Sequence, residues 1–177
     1  AERWGTTGTA QIIMGGKATP AAAAMVNATM GHALDYDDTH VGAVAHLSNP
    51  IWAAALAVGA NEGASERDIL NAYIAGFEVG ARVGGNDFGS TANMRGIHST
   101  GVFGCLAAAV AAGALLGLDE DGVASALGAA ATQTSGLTAS FGTMSKPFHA
   151  GKAALNGVLS AELARDGFVS ATDLLEE

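Results

Sequence analysis

The chain has 177 residues, 49% of them hydrophobic, 14% charged and 6% aromatic, with 25 glycines and a formal net charge of −9 at pH 7. That length suffices for one domain with a sizeable core, and the acidic balance excludes nucleic acid and an anionic membrane surface as partners, because both require a basic face. Cys105, the single cysteine, excludes an internal disulfide and any cluster held by several thiolates of this chain; in the apolar run Gly101 to Leu118 it reads as a small buried hydrophobe.

Ala10 to Met14 is the one plausible strand. Thr19-Pro20 reads as an N-cap with proline at the first helical position, opening a helix towards Ala33. A second helix is expected from Asn49-Pro50 to about Asn61. A third follows the capping box Ser65-Glu66-Arg67-Asp68 through Ile69, Leu70, Tyr73, Ile74 and Phe77. Gly84 to Gly96 reads as a loop. After it comes a small-residue helix from Thr100, closed near Gly117-Leu118. This uncharged run is too mildly apolar, and too poorly flanked, for a membrane span, so a buried helix is expected. Asp119 begins the next helix, which carries Val123, Ala126, Leu127 and Ala130; a Thr- and Gly-rich segment then spans Thr132 to Ser145. A helix from about His149 to Asp166 ends at Gly167, and Ser170-Ala171-Thr172-Asp173 reads as the cap of a last one. No βαβ alternation is present. The fold class is all-α, a packed array of about six helices in a single domain over residues 1–177. Residues 1 to 16 hold no long apolar segment, so a cytoplasmic protein is expected.

The chemistry concentrates in Gly31-His32-Ala33-Leu34-Asp35-Tyr36-Asp37-Asp38-Thr39-His40, with three carboxylates, two imidazoles and a hydroxyl. Three like charges within four residues repel one another, which suits proton transfer or a metal better than packing. Metal-ligand spacings such as H-E-x-x-H or an EF-hand loop are missing, and the bland alternative is a solvated loop in which Asp37 and Asp38 cap the next turn. Ser48, Ser99 and Ser135 lack a nucleophile-elbow setting, and no Gly-x-Gly follows a strand in the dinucleotide-binding manner. In Ser145-Lys146-Pro147-Phe148-His149, a proline fixes the backbone between a cation and an imidazole at a helix start.

Three stretches together carry a resemblance: Gly31 to Thr39 followed by His46; Gly96-Ile97-His98-Ser99-Thr100-Gly101; and Thr143-Met144-Ser145-Lys146-Pro147-Phe148-His149-Ala150-Gly151-Lys152-Ala153-Ala154. In order and spacing the chain resembles the MmgE/PrpD family, which includes 2-methylcitrate dehydratase, cis-aconitate decarboxylase and iminodisuccinate epimerase. The resemblance implies part of a large helical domain whose companion α/β lid is absent here, along with the family's first helices and everything after Leu174-Leu175. It also implies a homodimer and no metal or organic cofactor. Where many members read His-Pro, this chain has His46-Leu47-Ser48-Asn49-Pro50, and the choice of His46 over His40 rests on the resemblance.

The expected function is therefore that of a cofactor-independent lyase acting on a small di- or tricarboxylate. A dehydratase of the 2-methylcitrate type stands first, with decarboxylation or epimerisation as alternatives. Removing a proton next to a carboxylate builds a dianion that needs cations, and a base with a pKa near neutrality. His46 and His98 are expected as the acid/base pair, Asp35 to orient an imidazole, Thr39 and Lys146 to hold carboxylates, Arg95 to add a cation and His149 to support Lys146, with Asp38 as a neighbour. The competing class is a lid-less helical oligomerisation module without turnover.

Overall fold

The computed structural model describes residues 8–173. Strands β1 (Ala10–Gln11) and β2 (Lys17–Ala18) pair antiparallel, Ala10 opposite Ala18 and Gln11 opposite Lys17. The expected strand is thus two residues long and turns back on itself at Gly15 and Gly16, both at positive φ. The hairpin is fastened by buried Asn27, whose Oδ1 accepts from the Ile13 N–H and whose Nδ2 donates to the Gln11 carbonyl, each at 3.0 Å. Asn27 belongs to helix α1 (Pro20–Gly31), which opens with proline in its first turn as expected; Thr19 is the N-cap residue but makes no side-chain cap bond.

Helix α2 (Ser48–Glu62) starts one residue before the expected Asn49, because Asp38 Oδ1 accepts from the Ser48 N–H at 3.0 Å and supplies the cap from outside the helix. Helix α3 (Glu66–Gly84) is capped by Ser65, which accepts from the Asp68 N–H, and runs on past Phe77. The expected loop from Gly84 to Gly96 contains a short helix, α4 (Phe88–Met94). The Gly-Gly-Asn-Asp breaker does act, since Asn86 and Asp87 both have positive φ, but it turns the chain without dissolving it. The residues that follow bury Gly89 and Ala92.

Helix α5 (Ser99–Leu115) is the axis of the fold, packed against α2, α3 and two later helices, α6 (Glu120–Ala131) and α7 (Ser145–Arg165). It carries no charge and is buried on every face from Ser99 to Gly113 except at Val102. A helix apolar all round is stable only inside a protein or a membrane, and among the described residues no helix is long and apolar enough to cross a membrane. Helix α1 packs on α2 and α7, and α6 covers α5 and α7 from the far side. Helix α7 begins at Ser145, earlier than the expected His149; Pro147 is tolerated there because first-turn N–H groups have no intrahelical partner. The helix expected after Ser170-Ala171-Thr172-Asp173, like residues Ala1 to Thr7, lies outside the described residues.

Small side chains set the spacing between α5 and α7. A Cβ placed on Gly157 would stand 2.6 Å from the Ala108 Cβ and 2.7 Å from the Ala109 nitrogen, so only glycine lets the two helices lie this close. Gly157→Val is expected to cost about 1–3 kcal/mol through overpacking. Thermal unfolding of the full-length protein should show a lowered Tm; an unchanged Tm would mean that α7 can move away from α5 freely. Cys105 is fully buried in the same layer, its Sγ 3.6 Å from the Ala130 carbonyl, and burial pushes the thiol up to about 12. It is the inert small hydrophobe that the sequence suggested.

Candidate active site

Helix α1 ends at Gly31, and the next residue, His32, turns inward and is 1% exposed. The chain then reverses through Asp35, whose φ of 59° is a left-handed conformation that aspartate tolerates better than most residues. This reversal brings Asp35 and Asp37 back to His32. Its Nδ1 donates to Asp37, 2.8 Å from Oδ2 and 3.0 Å from Oδ1.

A second tight loop delivers His46. His40 Nδ1 accepts from the Ala43 N–H and caps a 3-10 turn at Val41–Ala43; Val44 follows at φ 50°, and His40 and Ala45 bridge the loop ends. A β-branched residue at positive φ is a strained position, here held by the bridge around it. His40 is thus used in building the loop, and His46 is the imidazole that reaches the carboxylates. The backbone N–H of His46 donates to Thr100 Oγ1 at the start of α5, which anchors the loop where it delivers the ring. Its Nε2 lies 3.4 Å from Asp35 Oδ1, and its Nδ1 lies 3.4 Å from Asp37 Oδ1, at ion-pair distance but without hydrogen-bond alignment.

From the opposite wall come His98, the N-cap residue of α5, and Lys146 in the first turn of α7. The His98 N–H donates to the Gly136 carbonyl at 3.0 Å, and the ring stacks on His32 at 5.9 Å and meets Phe141 edge-on at 4.9 Å. Gly101 permits this closeness, since a Cβ there would stand 2.2 Å from the Ser135 carbonyl oxygen. The Lys146 ammonium pairs with the Asp35 carboxylate and lies 5.3 Å from the centre of the Phe141 ring. Asp35, Thr39, His46, His98 and Lys146 line one cavity of about 210 Å³, together with Val44, Asn93 and Phe141. That is smaller than the ~300–1,000 Å³ typical of drug-sized ligand pockets and suits a small metabolite. A second, more apolar cavity of about 560 Å³ shares Asp35 and Lys146 and is walled by Met30, Leu34, Met144 and Pro147 among others.

The charges in this arrangement differ from group to group. Burial works against ionising Asp37, but the hydrogen bond from His32 and the close approach of the His46 imidazole outweigh it and hold the carboxyl well below its usual range. Asp35 is likewise lowered, first by its hydrogen bond from Lys146. In return, the Asp37 carboxylate raises His46 above the ordinary imidazole value of 6.5, against the opposing effect of burial. His98 goes the other way: burial first, and then the titratable neighbours His149, His32, Lys146 and His46, push it down to about 3. The cavity therefore holds one imidazole whose protonated form is favoured, His46, and one that stays neutral, His98.

Asp35, Thr39, His46, His98 and Lys146, five of the residues expected from the sequence, meet here. Arg95 does not join them; it is exposed at the end of α4 and lines neither cavity. His149 stands behind His98, its Nδ1 3.0 Å from the His98 Nδ1, and is not placed on Lys146. Asp38 caps α2. Sequence reasoning left out His32 and Asp37, although both lie in the stretch it singled out; the signal lacking was that His32 turns inward. Asn93 and Phe141 gave no sequence signal at all. Donor atoms of His32, Asp35, Asp37 and His46 lie within 4.8 Å of one another, which is compact enough for a metal ion. The Lys146 ammonium on Asp35 and the His32 hydrogen bond to Asp37 already use those carboxylates, so the residues suit internal proton sharing better than a cation.

Imidazoles, carboxylates and a lysine around one small cavity are groups that can exchange protons and bind anionic oxygens. The chain matches the MmgE/PrpD N-terminal domain over residues 1–177 and belongs to the MmgE/PrpD family. It is 40% identical over 168 residues to a cis-aconitate decarboxylase of Aspergillus terreus, covering 92% of this chain and 34% of that protein. A cis-aconitate decarboxylase-like protein, oryM, of Aspergillus oryzae is 40% identical over 158 residues, covering 85% of this chain and 33% of that protein. The human cis-aconitate decarboxylase is 33% identical over 163 residues, 89% of this chain and 33% of the human protein. The chain thus spans about one third of the length of the curated relatives it matches.

Proposed function

We propose that this chain supplies the acid/base wall of a lyase that removes carbon dioxide from a small unsaturated polycarboxylate of the cis-aconitate type. The observation that carries the reading is the single cavity in which His46, His98, Asp35 and Lys146 meet. The names of the similar proteins favour decarboxylation over the dehydration ranked first from the sequence, and over epimerisation.

In such a substrate the departing carboxylate sits on a saturated carbon next to the double bond. As that C–C bond breaks, its electron pair forms a new double bond to the central carbon, and the old double-bond pair takes a proton at the far carbon, beside another carboxylate. Negative charge builds on that carboxylate before the proton arrives, so a cation and a proton donor must both face it. Lys146 carries the cation, and Thr39 offers a hydroxyl at the rim. His46 carries the proton, because Asp37 favours its protonated form; water then returns a proton to the ring. Asp35 links the two by pairing with Lys146 on one side and facing His46 on the other. Neutral His98 is a hydrogen-bond partner for substrate oxygen, for which a pKa pushed to about 3 is no handicap.

The test is to give the full-length protein cis-aconitate, 2-methylcitrate, citrate and iminodisuccinate separately, following carbon dioxide release and product structure. Carbon dioxide from cis-aconitate supports the proposal. Water loss from 2-methylcitrate without decarboxylation would return the dehydratase reading, and no conversion by folded protein would favour a non-catalytic helical module.

A further inference from the structure

Two neutral imidazoles in direct contact constrain each other's protons. The His98 and His149 Nδ1 atoms lie 3.0 Å apart, with the rings tilted by 54° at a centroid distance of 5.2 Å. Two N–H groups would clash at that distance, and two lone pairs would repel, so one nitrogen donates and the other accepts. A neutral imidazole carries one N–H and one lone pair, so whichever role a ring takes at Nδ1 fixes the opposite role at its Nε2.

We propose that His149 is a positioning residue for His98: its Nδ1–H donates to the His98 Nδ1, and His98 therefore faces the cavity as a neutral Nε2–H donor. The inference rests on reading the cavity as a carboxylate-binding, acid/base site. Three observations carry it.

The rings are held so that the contact is built in. His98 is pinned by its N–H to the Gly136 carbonyl, by stacking on His32 and by the edge of Phe141. His149 lies three residues after Lys146 on α7, and the backbone at Gly136 presses against both rings: a Cβ there would stand 3.2 Å from the His98 Cβ and 3.2 Å from the His149 Nδ1.

The second observation concerns where His98 leads. It lines the 210 Å³ cavity, whereas His149 lines neither cavity of the site. Among the described residues the sealed ring nitrogens without a partner are His32 Nε2 and His46 Nδ1; His98 Nε2 is not one of them. With Nδ1 engaged by His149, Nε2 is the nitrogen that His98 has left for the cavity.

The third is the charge in front of the ring. Lys146 and His46 line that cavity and draw in the two or more carboxylates of the proposed substrate, which join Asp35 there as acceptors. An Nε2–H turned towards such groups is favoured, while a lone pair in the same place would be repelled. Burial first, and then His32 and the Lys152 ammonium, which donates to Ser135 Oγ at 2.8 Å, disfavour protonation of His149 and so favour the neutral ring that the arrangement requires. Burial likewise keeps His98 neutral over the physiological range.

The experiment uses the full-length protein with nitrogen-15-labelled histidine, observed by NMR at neutral pH, with the His98 signals assigned by their loss in His98→Asn. The proposal expects a proton on His98 Nε2 and a bare Nδ1. His149→Phe keeps the ring shape without the donor and should give His98 a mixture of tautomers, with kcat down at least tenfold and KM within about threefold. His149→Asn, whose side-chain amide can donate to Nδ1, should restore the tautomer and most of kcat. A proton on His98 Nδ1 in the unsubstituted protein overturns the proposal whether or not any variant folds, and so does an unaltered tautomer in folded His149→Phe. The NMR result needs no turnover: the expected tautomer in a protein that converts none of the four acids would sink the decarboxylase reading and leave His149 in its role.

Discussion

His46→Gln in the full-length protein is expected to lower kcat by about 100-fold or more, the scale on which a positioned proton donor or acceptor contributes, with KM changed much less. Glutamine keeps a polar side chain and the backbone bond to Thr100, but it has no proton to give. The pH profile carries the same prediction. Asp37, aided by Asp35, raises His46, so the protonated form persists above pH 6.5 and is lost as pH rises through the raised value. If His46 works as the acid, kcat/KM falls along an alkaline limb above pH 6.5, and that limb disappears in His46→Gln. A profile that falls only towards acid would assign His46 the role of a base. Asp37→Asn is the companion change: with the carboxylate gone, the alkaline limb should shift to lower pH, because the largest cause of the raised value has been removed.

Lys146→Met should lower kcat/KM at least tenfold, about 1.4 kcal/mol of transition-state stabilisation. Methionine keeps most of the length and bulk of the side chain while removing the charge, and with it the ammonium over the Phe141 ring. Two effects then add. The substrate carboxylate loses its cation, and Asp35, no longer lowered by its Lys146 hydrogen bond, becomes a weaker partner for His46. A rise in KM alone would mean that Lys146 binds the ground state and the transition state equally; a fall in kcat would mean that it acts on the charge that develops during reaction. An unchanged kcat/KM would remove Lys146 from the chemistry.

Much of the fold was legible because it depends on local signals. Thr19-Pro20, Ser65 with Asp68, and Asp119 mark helix starts by the backbone N–H groups they leave free or satisfy, and the uncharged run after Thr100 is the buried axis. The errors fall where a distant residue overrides the local signal. Asp38 reaches across to start α2 at Ser48, and α4 forms inside a Gly/Asn-rich stretch because Gly89 and Ala92 find a surface to pack on. The site divides in the same way. Residues that carry charge in a chain poor in charge, such as Asp35, His46, His98 and Lys146, announce themselves. Their partnerships do not: that Asp37 is shared between two imidazoles depends on two tight reversals, at Asp35 and Val44, and that His149 meets His98 depends on how the start of α7 packs on the start of α5, which no periodicity encodes.

The most direct measurement is to run the reaction with cis-aconitate in D₂O on the full-length protein and on His46→Gln side by side, following product by NMR. The account predicts carbon dioxide release with one deuterium delivered to the carbon beside the remaining carboxylate in the parent protein, and loss of both in the variant. Decarboxylation that proceeds undiminished in His46→Gln, with the same deuterium at the same carbon, would contradict it.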